Sequence, residues 1–304
     1  MKREALYAIN SISEYHALTN LGKPVHPLVS VFNFKEYTQP NEARPRRMLY
    51  NIYVVNIKKN FDGKIKYGQQ YYDFDEGVMT FYAPKQVIEI KEMITKIPDG
   101  YTLLIHPDFL HGTALGSKIQ TYGFFTYASN EALHLSAQEE EIIEGIFENL
   151  RTEIHSGTDT HTHDVVLSHI DLLLSYCKRF YDRQFITRKK VSNDIFLRFE
   201  EIIAAYFKSR ELSPEGLPSV QYFADQLFIS PNYLNDLLKN LTGQTTQQHI
   251  HNHLIEKAKE LLSTTTLSVS EIAYQLGFQF PQSFNKLFKN KTGTTPLEFR
   301  QSFN

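Results

Sequence analysis

The sequence predicts an α+β chain: a β-rich N-terminal region, a run of middle helices, and an all-α C-terminal region that contains one unit twice. Three observations carry this prediction. Short apolar runs separated by turn residues fill residues 1–135. Helical periodicity takes over near Leu135. A pattern that begins at Ala224 then returns at Ala273.

In the first region, Tyr53–Ile57, Val87–Ile90, Tyr101–Ile105 and Gln120–Thr126 read as strands. Asp62-Gly63, Asp73–Gly77, Asp99-Gly100 and His111-Gly112 read as the turns between such strands. Many short strands of this kind predict a barrel or a jelly-roll sandwich. Ser136 and Glu139 form a capping box, so a helix should run from there to about Ile154. Ser156–His163 is polar and reads as a loop. A second helix is expected from Asp164 to about Tyr181, with Val165, Val166, Ile170, Leu173 and Leu174 on one stripe. A third is expected over Ser192–Lys208, with Ile195, Phe196, Phe199, Ile202, Ile203 and Tyr206. Stripes this wide need a partner: the β-region, each other, or a second subunit. Ser213–Pro218 holds two prolines and a glycine and marks a boundary. The expected domains are therefore 1–135, 136–212 and 213–304.

Composition narrows the class. The chain has 304 residues, 41% hydrophobic and 22% charged, which suits two or three globular domains. No apolar run is long enough for a membrane span, and the N-terminal residues lack a signal-peptide core. The one cysteine, Cys177, cannot form an internal disulfide, so a reducing, cytoplasmic location is expected. A net charge of −2 does not mark a nucleic-acid binder, so any such case must rest on the placement of side chains.

The repeat supplies that case. Ala224–Pro231 parallels Ala273–Pro281, and Pro231–Gly243 parallels Pro281–Gly293. The offset is 49 at the alanines and 50 after the prolines, so the second turn holds one extra residue. Each copy reads as a short helix with a small residue for close approach, a tight turn, and a second helix. That second helix opens on proline and stops at Thr-Gly. This is a helix-turn-helix unit. Ser230 is an N-cap candidate. Leu234, Leu237, Leu238 and Leu241 face inward, which turns Asn232, Asn235, Asp236 and Lys239 outward. In the second copy Phe284, Leu287 and Phe288 face inward, and Gln282, Ser283, Asn285, Lys286 and Lys289 face outward. Asn and Gln can bind adenine bidentately, and Lys can reach guanine or phosphate. A helix over Thr245–Ser263 joins the copies. Its span of about 25 Å is somewhat short of the ~34 Å between major-groove faces. Ser268 and Glu271 form a second capping box.

From about Leu217 onward the chain resembles the AraC/XylS family of bacterial regulators. The second copy carries the resemblance through Ile272-Ala273, Gly277-Phe278, Phe284, Phe288-Lys289, Gly293, Thr295-Pro296 and Phe299-Arg300. The resemblance implies a cupin-like N-terminal β-barrel that senses a small-molecule effector, middle helices that form a homodimer, and no enzymatic activity or cofactor. It implies double-stranded DNA as partner, with RNA polymerase a possible further one, and regulation of transcription as an activator, with repression left open. Bases would meet Asn232, Asn235 and Asp236 in the first copy, with Ser230 and Lys239 as further DNA-binding residues. In the second they would meet Gln282, Ser283, Asn285 and Lys286, with Lys289 as a further DNA-binding residue. Asp236 departs from the family, which often has a basic residue there. Residues 213–263 hold three Lys/Arg and five Asp/Glu, whereas 264–304 hold four and two. This charge split assigns phosphate affinity to the second copy and base discrimination to the first.

Other residues receive weaker readings. His106 and His111, His161 and His163, and the i, i+4 pair His249 and His253 have metal-ligand chemistry, but no clear ligand set emerges and no metal is expected. The aromatics Tyr53, Phe81, Tyr82, Phe124 and Phe125 either line an effector pocket or pack as core. Arg44, Arg46 and Arg47 either hold an anion or lie in a solvated loop. Two rival functions follow: a cupin-type metal enzyme with an accessory DNA-binding domain, and a protein-interaction module.

Overall fold

A computed structural model of the chain describes residues 6–36, 47–59, 65–67, 70–72, 77–89, 99–128, 131–157, 159–208 and 216–303. The Asp62-Gly63 turn, residues 73–76, Ile90, Arg44, Arg46 and residues 213–215 lie outside them. Contacts divide the chain into two units, Met1–Gln184 and Phe185–Asn304.

The first unit runs β1 (Tyr7–Ile9), α1 (Ile12–Leu18), β2 (Val29–Asn33), β3 (Arg47–Tyr50), β4 (Tyr53–Lys59), β5 (Ile65–Tyr67), β6 (Gln70–Tyr72), β7 (Val78–Tyr82), β8 (Gln86–Glu89) and β9 (Asp99–Ile105). It continues with α2 (Pro107–Leu110), α3 (Ala114–Ile119), β10 (Leu133–His134), α4 (Ala137–His155) and α5 (Thr162–Thr187), whose last three residues, from Phe185, belong to the second unit. Five strands form an antiparallel sheet in the order β10-β7-β4-β9-β2. A second sheet has the order β1-β3-β8, and β5 pairs with β6. Among the described residues the larger sheet ends at β10 and β2, so these strands form sheets and are not seen to close as a barrel.

The central strands are buried on both faces, because α4 covers β2 and β9 with Ile143, Phe147 and Leu150. Asn56 sits in this interior with both ends of its carboxamide bonded. Its Nδ2 donates to Thr80 Oγ1 at 3.1 Å, and its Oδ1 accepts from Thr102 Oγ1 at 2.8 Å. That row of bonds joins β7, β4 and β9 at matched register. A buried carboxamide satisfied in this way favours one strand alignment over a slip.

Several elements differ from expectation. Gln120–Thr126 is not a strand: α3 ends at Ile119, and Gly123–Thr126 is a 3-10 turn. The turn buries the consecutive Phe124 and Phe125, which alternation along a strand would send to opposite faces. Asp99-Gly100 is the start of β9 rather than a turn. Gly100 has φ +123°, and a Cβ there would collide with the Ile57 carbonyl. The second middle helix is longer than expected, Thr162–Thr187, because Asp159 Oδ1 accepts the His161 and Thr162 N–H groups and starts it early. The strands β1, β2, β3, β5, β6, β7 and β10 escaped the sequence reading, as did α1, α2 and α3.

The apolar stripes of α4 and most of α5 are spent within their own unit. Tyr181 stacks on Phe124 with ring centroids 5.5 Å apart and donates its hydroxyl to Glu131 O. Cys177 is fully buried and lies 3.8 Å from the Met79 sulfur. Arg183 pairs with Glu139 and so ties α5 to α4.

The second unit holds α6 (Lys189–Lys208), α7 (Val220–Leu227), α8 (Pro231–Thr242), α9 (Thr246–Thr264), α10 (Val269–Gln275), α11 (Pro281–Thr292) and α12 (Pro296–Gln301). Helix α6 starts three residues before the expected Ser192. Ser192 lies inside it, buried, with its hydroxyl donating to Phe185 O at 3.1 Å. Helix α6 packs on α7, α8 and α9 through Phe199, Ile203 and Phe207. Helix α9 is the connector. It opens on a Thr245/Gln248 capping box and buries Ile250, Leu254, Ile255, Ala258, Leu261 and Leu262.

Candidate nucleic-acid interface

The repeat in the sequence is a repeat in hydrogen bonds. Ser219 caps α7 through the Tyr222 N–H, and Ser268 caps α10 through the Glu271 N–H. At the other end of α7, Phe228 N–H reaches Asp225 O and Ile229 N–H reaches Ala224 O. At the end of α10, Gly277 N–H reaches Tyr274 O and Phe278 N–H reaches Ala273 O. This pair of bonds closes a Schellman turn around a left-handed residue. That residue is Phe228 at φ +58° in one copy and Gly277 at φ +88° in the other. Ala224 and Ala273 are fully buried, as close helix approach requires.

The extra residue of the second copy lies just after this turn. Ser230 alone leads from Ile229 into α8, whereas Gln279 and Phe280 lead from Phe278 into α11. Both second helices begin on proline and end at a left-handed glycine, Gly243 at φ +74° and Gly293 at φ +81°. The repeat also extends one helix beyond its sequence-level limits. Thr295 and Glu298 form a capping box at α12, matching Thr245 and Gln248 at α9.

The predicted interface residues occupy two differently furnished helices. On α11, Gln282, Ser283, Asn285, Lys286 and Lys289 are all exposed, while Phe284 and Phe288 are fully buried and Leu287 is half-buried. On α8, Asn232 and Lys239 are exposed, but Asn235 and Asp236 are half-buried. Asn235 Oδ1 accepts the Thr246 N–H at 3.3 Å, and Ser230 Oγ accepts the Tyr233 N–H at 3.2 Å. Leu234, Leu237 and Leu238 are buried as expected, and Leu241 is half-buried.

Positive charge is also placed unevenly. On α9, Lys257 pairs with Glu260 and Lys259 with Glu256. Arg300 is half-buried and donates to Leu262 O at 3.1 Å, so it holds α12 to the connector. Lys291 donates to Asn252. Lys286 and Lys289 remain as exposed charges on the outer face of α11.

A family profile described as a helix-turn-helix domain matches residues 223–302. The chain is 42% identical over 79 residues to the uncharacterized transcriptional regulatory protein YesN of Bacillus subtilis, covering 25% of this chain and 22% of that one. It is 35% identical over 99 residues to the xylose operon regulatory protein of Escherichia coli, covering 33% and 25%. Its C-terminal domain belongs to the AraC/XylS helix-turn-helix family. The C-terminal domain of the response regulator yesN from Fusobacterium nucleatum, a solved structure, is 30% identical with a TM-score of 0.31, covering 35% of this chain and 98% of that one. The chain spans less than half the length of the first curated relatives it matches. The profile ends within the second unit, so the AraC/XylS match describes α7–α12 and leaves the β-sheet unit untouched.

The other candidates separate. Phe81, Phe124 and Phe125 are buried and packed on one another, with Phe81 and Phe124 centroids 4.6 Å apart. Tyr82 packs on Tyr50. Tyr53 alone of the five lines an open cleft of about 480 Å³, with Leu110, His111, Thr113, Ser117 and Gln120, and burial raises its phenol pKa. His106 caps α2 through the Asp108 N–H. His163 packs edge-on against Phe109. Arg47 sits in β3, half-buried. His249 and His253 share one partner, the Glu200 carboxylate of α6, at 3.4 and 3.5 Å. Among the described residues no three His, Cys, Asp or Glu side chains converge as a metal site, and no helix is long and apolar enough to cross a membrane.

Proposed function

We propose that the chain is a sequence-specific DNA-binding regulator of transcription, with α8 and α11 as the second helices of its two helix-turn-helix units. The observation that supports it most is the outer face of α11: five exposed polar or cationic side chains on a helix anchored by Phe284 and Phe288. Gln282, Ser283, Asn285, Lys286 and Lys289 are of the types that bind base edges and phosphates. The corresponding positions on α8 are Ser230, Asn232, Asn235, Asp236 and Lys239, of which only Asn232 and Lys239 are exposed and offered to DNA.

Lys286→Ala tests this reading in a salt titration of DNA binding. The slope of log affinity against log salt should fall by about 0.9 for one lost phosphate contact. Lys239→Ala should change it less, because an acidic residue, Asp236, lies one turn before it. An unchanged slope in both variants would overturn the reading.

The β-sheet unit is proposed as the sensor, a cupin-like domain whose effector enters the cleft beside Tyr53. Its volume lies in the range of small-molecule sites, and its lining holds no Asp, Glu, Lys or Arg. Dimerisation and a cytoplasmic location complete the proposal. With most of the α4 and α5 stripes buried, Leu172 and Ile186 on α5 and Leu197 on α6 are exposed apolar residues offered for pairing. Sedimentation as a stable monomer at micromolar concentration would overturn the dimer.

A further inference from the structure

We infer that the two copies divide the labour unequally: α8 braces the domain, and α11 reads the bases. The inference rests on the DNA-binding reading above and replaces the division expected from charge, in which the first copy discriminates. Four pairs of positions, each separated by 50 residues, carry it.

The first pair is Ser230 and Phe280. The Ser230 hydroxyl is spent on the Tyr233 N–H. Phe280 makes no side-chain cap bond and is 62% exposed. The second pair is Tyr233 and Ser283. Tyr233 is buried and packs on Phe185, ring centroids 5.2 Å apart, so this part of α8 is covered by its own chain. Ser283 is exposed.

The third pair is decisive. Asn235 and Asn285 are the same residue at the same place on the helix. Asn235 gives its carboxamide oxygen to the Thr246 N–H, the first residue of α9. The counterpart of Thr246 is Pro296, the first residue of α12. Proline has no N–H to offer, and it is well tolerated at a first helical position. Asn285 is accordingly exposed and holds no hydrogen bond among the described residues. Bidentate recognition of adenine uses the oxygen and the NH₂ group together. Asn285 has both available, whereas the oxygen of Asn235 is already committed. Among the described residues the buried Thr246 hydroxyl finds no partner, which costs stability at this joint.

The fourth pair is Asp236 and Lys286. The first is half-buried and acidic, and the second exposed and basic. Each of the four pairs turns α8 toward its own chain and α11 toward DNA.

The test uses the full chain and a randomised double-stranded DNA library, with base preferences read from the selected pool. Asn285→Ala should flatten the preference at one or two base pairs and weaken binding to the selected site about tenfold, with an unchanged melting temperature. Asn235→Ala should lower the melting temperature by a few degrees while retaining the wild-type base preferences. Pro296→Thr restores the N–H, and it should weaken the preference at the base pair that Asn285→Ala affects without loss of stability. Flattened preference in Asn235→Ala, or an unaltered profile in Asn285→Ala, overturns the division. A wild-type chain that enriches no sequence overturns the DNA reading itself, and that result is recognisable before any variant is made.

Discussion

At the scale of single residues, the left-handed turn positions make opposite predictions. Phe228 and Gly277 occupy the same place in the two copies, both at positive φ. Phe228 is 77% exposed, so its ring repays little through burial. The left-handed conformation costs a side-chain-bearing residue about 1–2 kcal/mol, and glycine adds about 0.5–1 kcal/mol of unfolded-chain entropy. Phe228→Gly should therefore stabilise the chain by roughly 0.5 kcal/mol, measured as a higher urea midpoint. Gly277→Ala should do the reverse. A Cβ there would lie 2.8 Å from the Gly216 carbonyl carbon and 3.0 Å from the Leu217 nitrogen, both backbone atoms. Together with the positive φ, a loss of about 2–3 kcal/mol is expected, read from the same denaturation curves. His249 sets a third expectation. Burial lowers its pKa and a nearby His253 lowers it further, while Glu200 on α6 raises it. Its other ring nitrogen meets Thr242 Oγ1 at 2.9 Å. A lowered folded-state pKa means that the folded chain holds fewer protons than the unfolded one near pH 6.5. This contribution is complete above pH 6.5 and is lost progressively as the pH falls from there through the lowered folded-state value. His251, lowered by burial and then by Lys291, acts in the same direction. Thermal melts between pH 7.5 and 5.5 should show stability falling with acid, and His249→Gln should reduce that slope. A variant with the wild-type slope would remove His249 from the account.

At the scale of elements, helix ends explain what was legible. Ser136/Glu139, Thr245/Gln248 and Ser268/Glu271 lie three residues apart, and each forms the capping box its sequence announces. Local chemistry also fixed the prolines and the Thr-Gly stops, so α8 and α11 were visible to the residue. The third middle helix was expected to start at Ser192, but Ser192 sits inside α6 with its hydroxyl bound to Phe185 O. Asp99-Gly100 looked like a turn, yet the fold needs a glycine where β9 crosses close to the Ile57 carbonyl. In both cases the deciding partner belongs to another segment, which no local pattern reveals. The interface divides in the same way. Exposure on α11 follows from its periodicity alone, whereas the burial of Tyr233 depends on Phe185 and the commitment of Asn235 depends on Thr246. The match between Thr245/Gln248 and Thr295/Glu298 was present in the sequence, and it would have extended the repeat to α12. One cap can be repaired. Phe280 stands where Ser230 caps the first copy, and no side chain caps α11. Phe280→Ser should gain about 1 kcal/mol of stability, measured by thermal unfolding. An unchanged or lowered midpoint would mean that the Phe280 ring contributes packing worth as much as the cap.

At the scale of the whole molecule, the boundary of the DNA-binding unit is the point on which sequence and structure part most. The proline- and glycine-containing stretch after Leu212 reads as the natural division, and the family match begins at residue 223. Contacts place the division at residues 184 and 185 instead, which assigns α6 to the DNA-binding unit. The physical reason is in the core. Phe199 is fully buried, with its ring edge-on to Phe223 of α7 at 5.6 Å and to His249 of α9 at 5.7 Å. Ile203 is fully buried, and Phe207 lies parallel to His253. Removing α6 would expose the α7 and α9 surfaces beneath all three and would leave the two histidines without Glu200. Truncating one buried phenylalanine alone costs about 3–5 kcal/mol, a large part of the ~5–15 kcal/mol that holds a domain folded. A fragment of residues 185–304 should therefore unfold cooperatively and bind the DNA that the full chain selects. A fragment of residues 213–304 should melt at a much lower temperature or remain partly unfolded, even though it contains the whole family match. Equal melting temperatures for the two fragments would show that α6 is a passive linker and would return the boundary to residue 213. The expected result instead makes α6 the floor on which α7 and α9 stand, so that any movement of α6 reaches the first copy, the braced one, before it reaches α11.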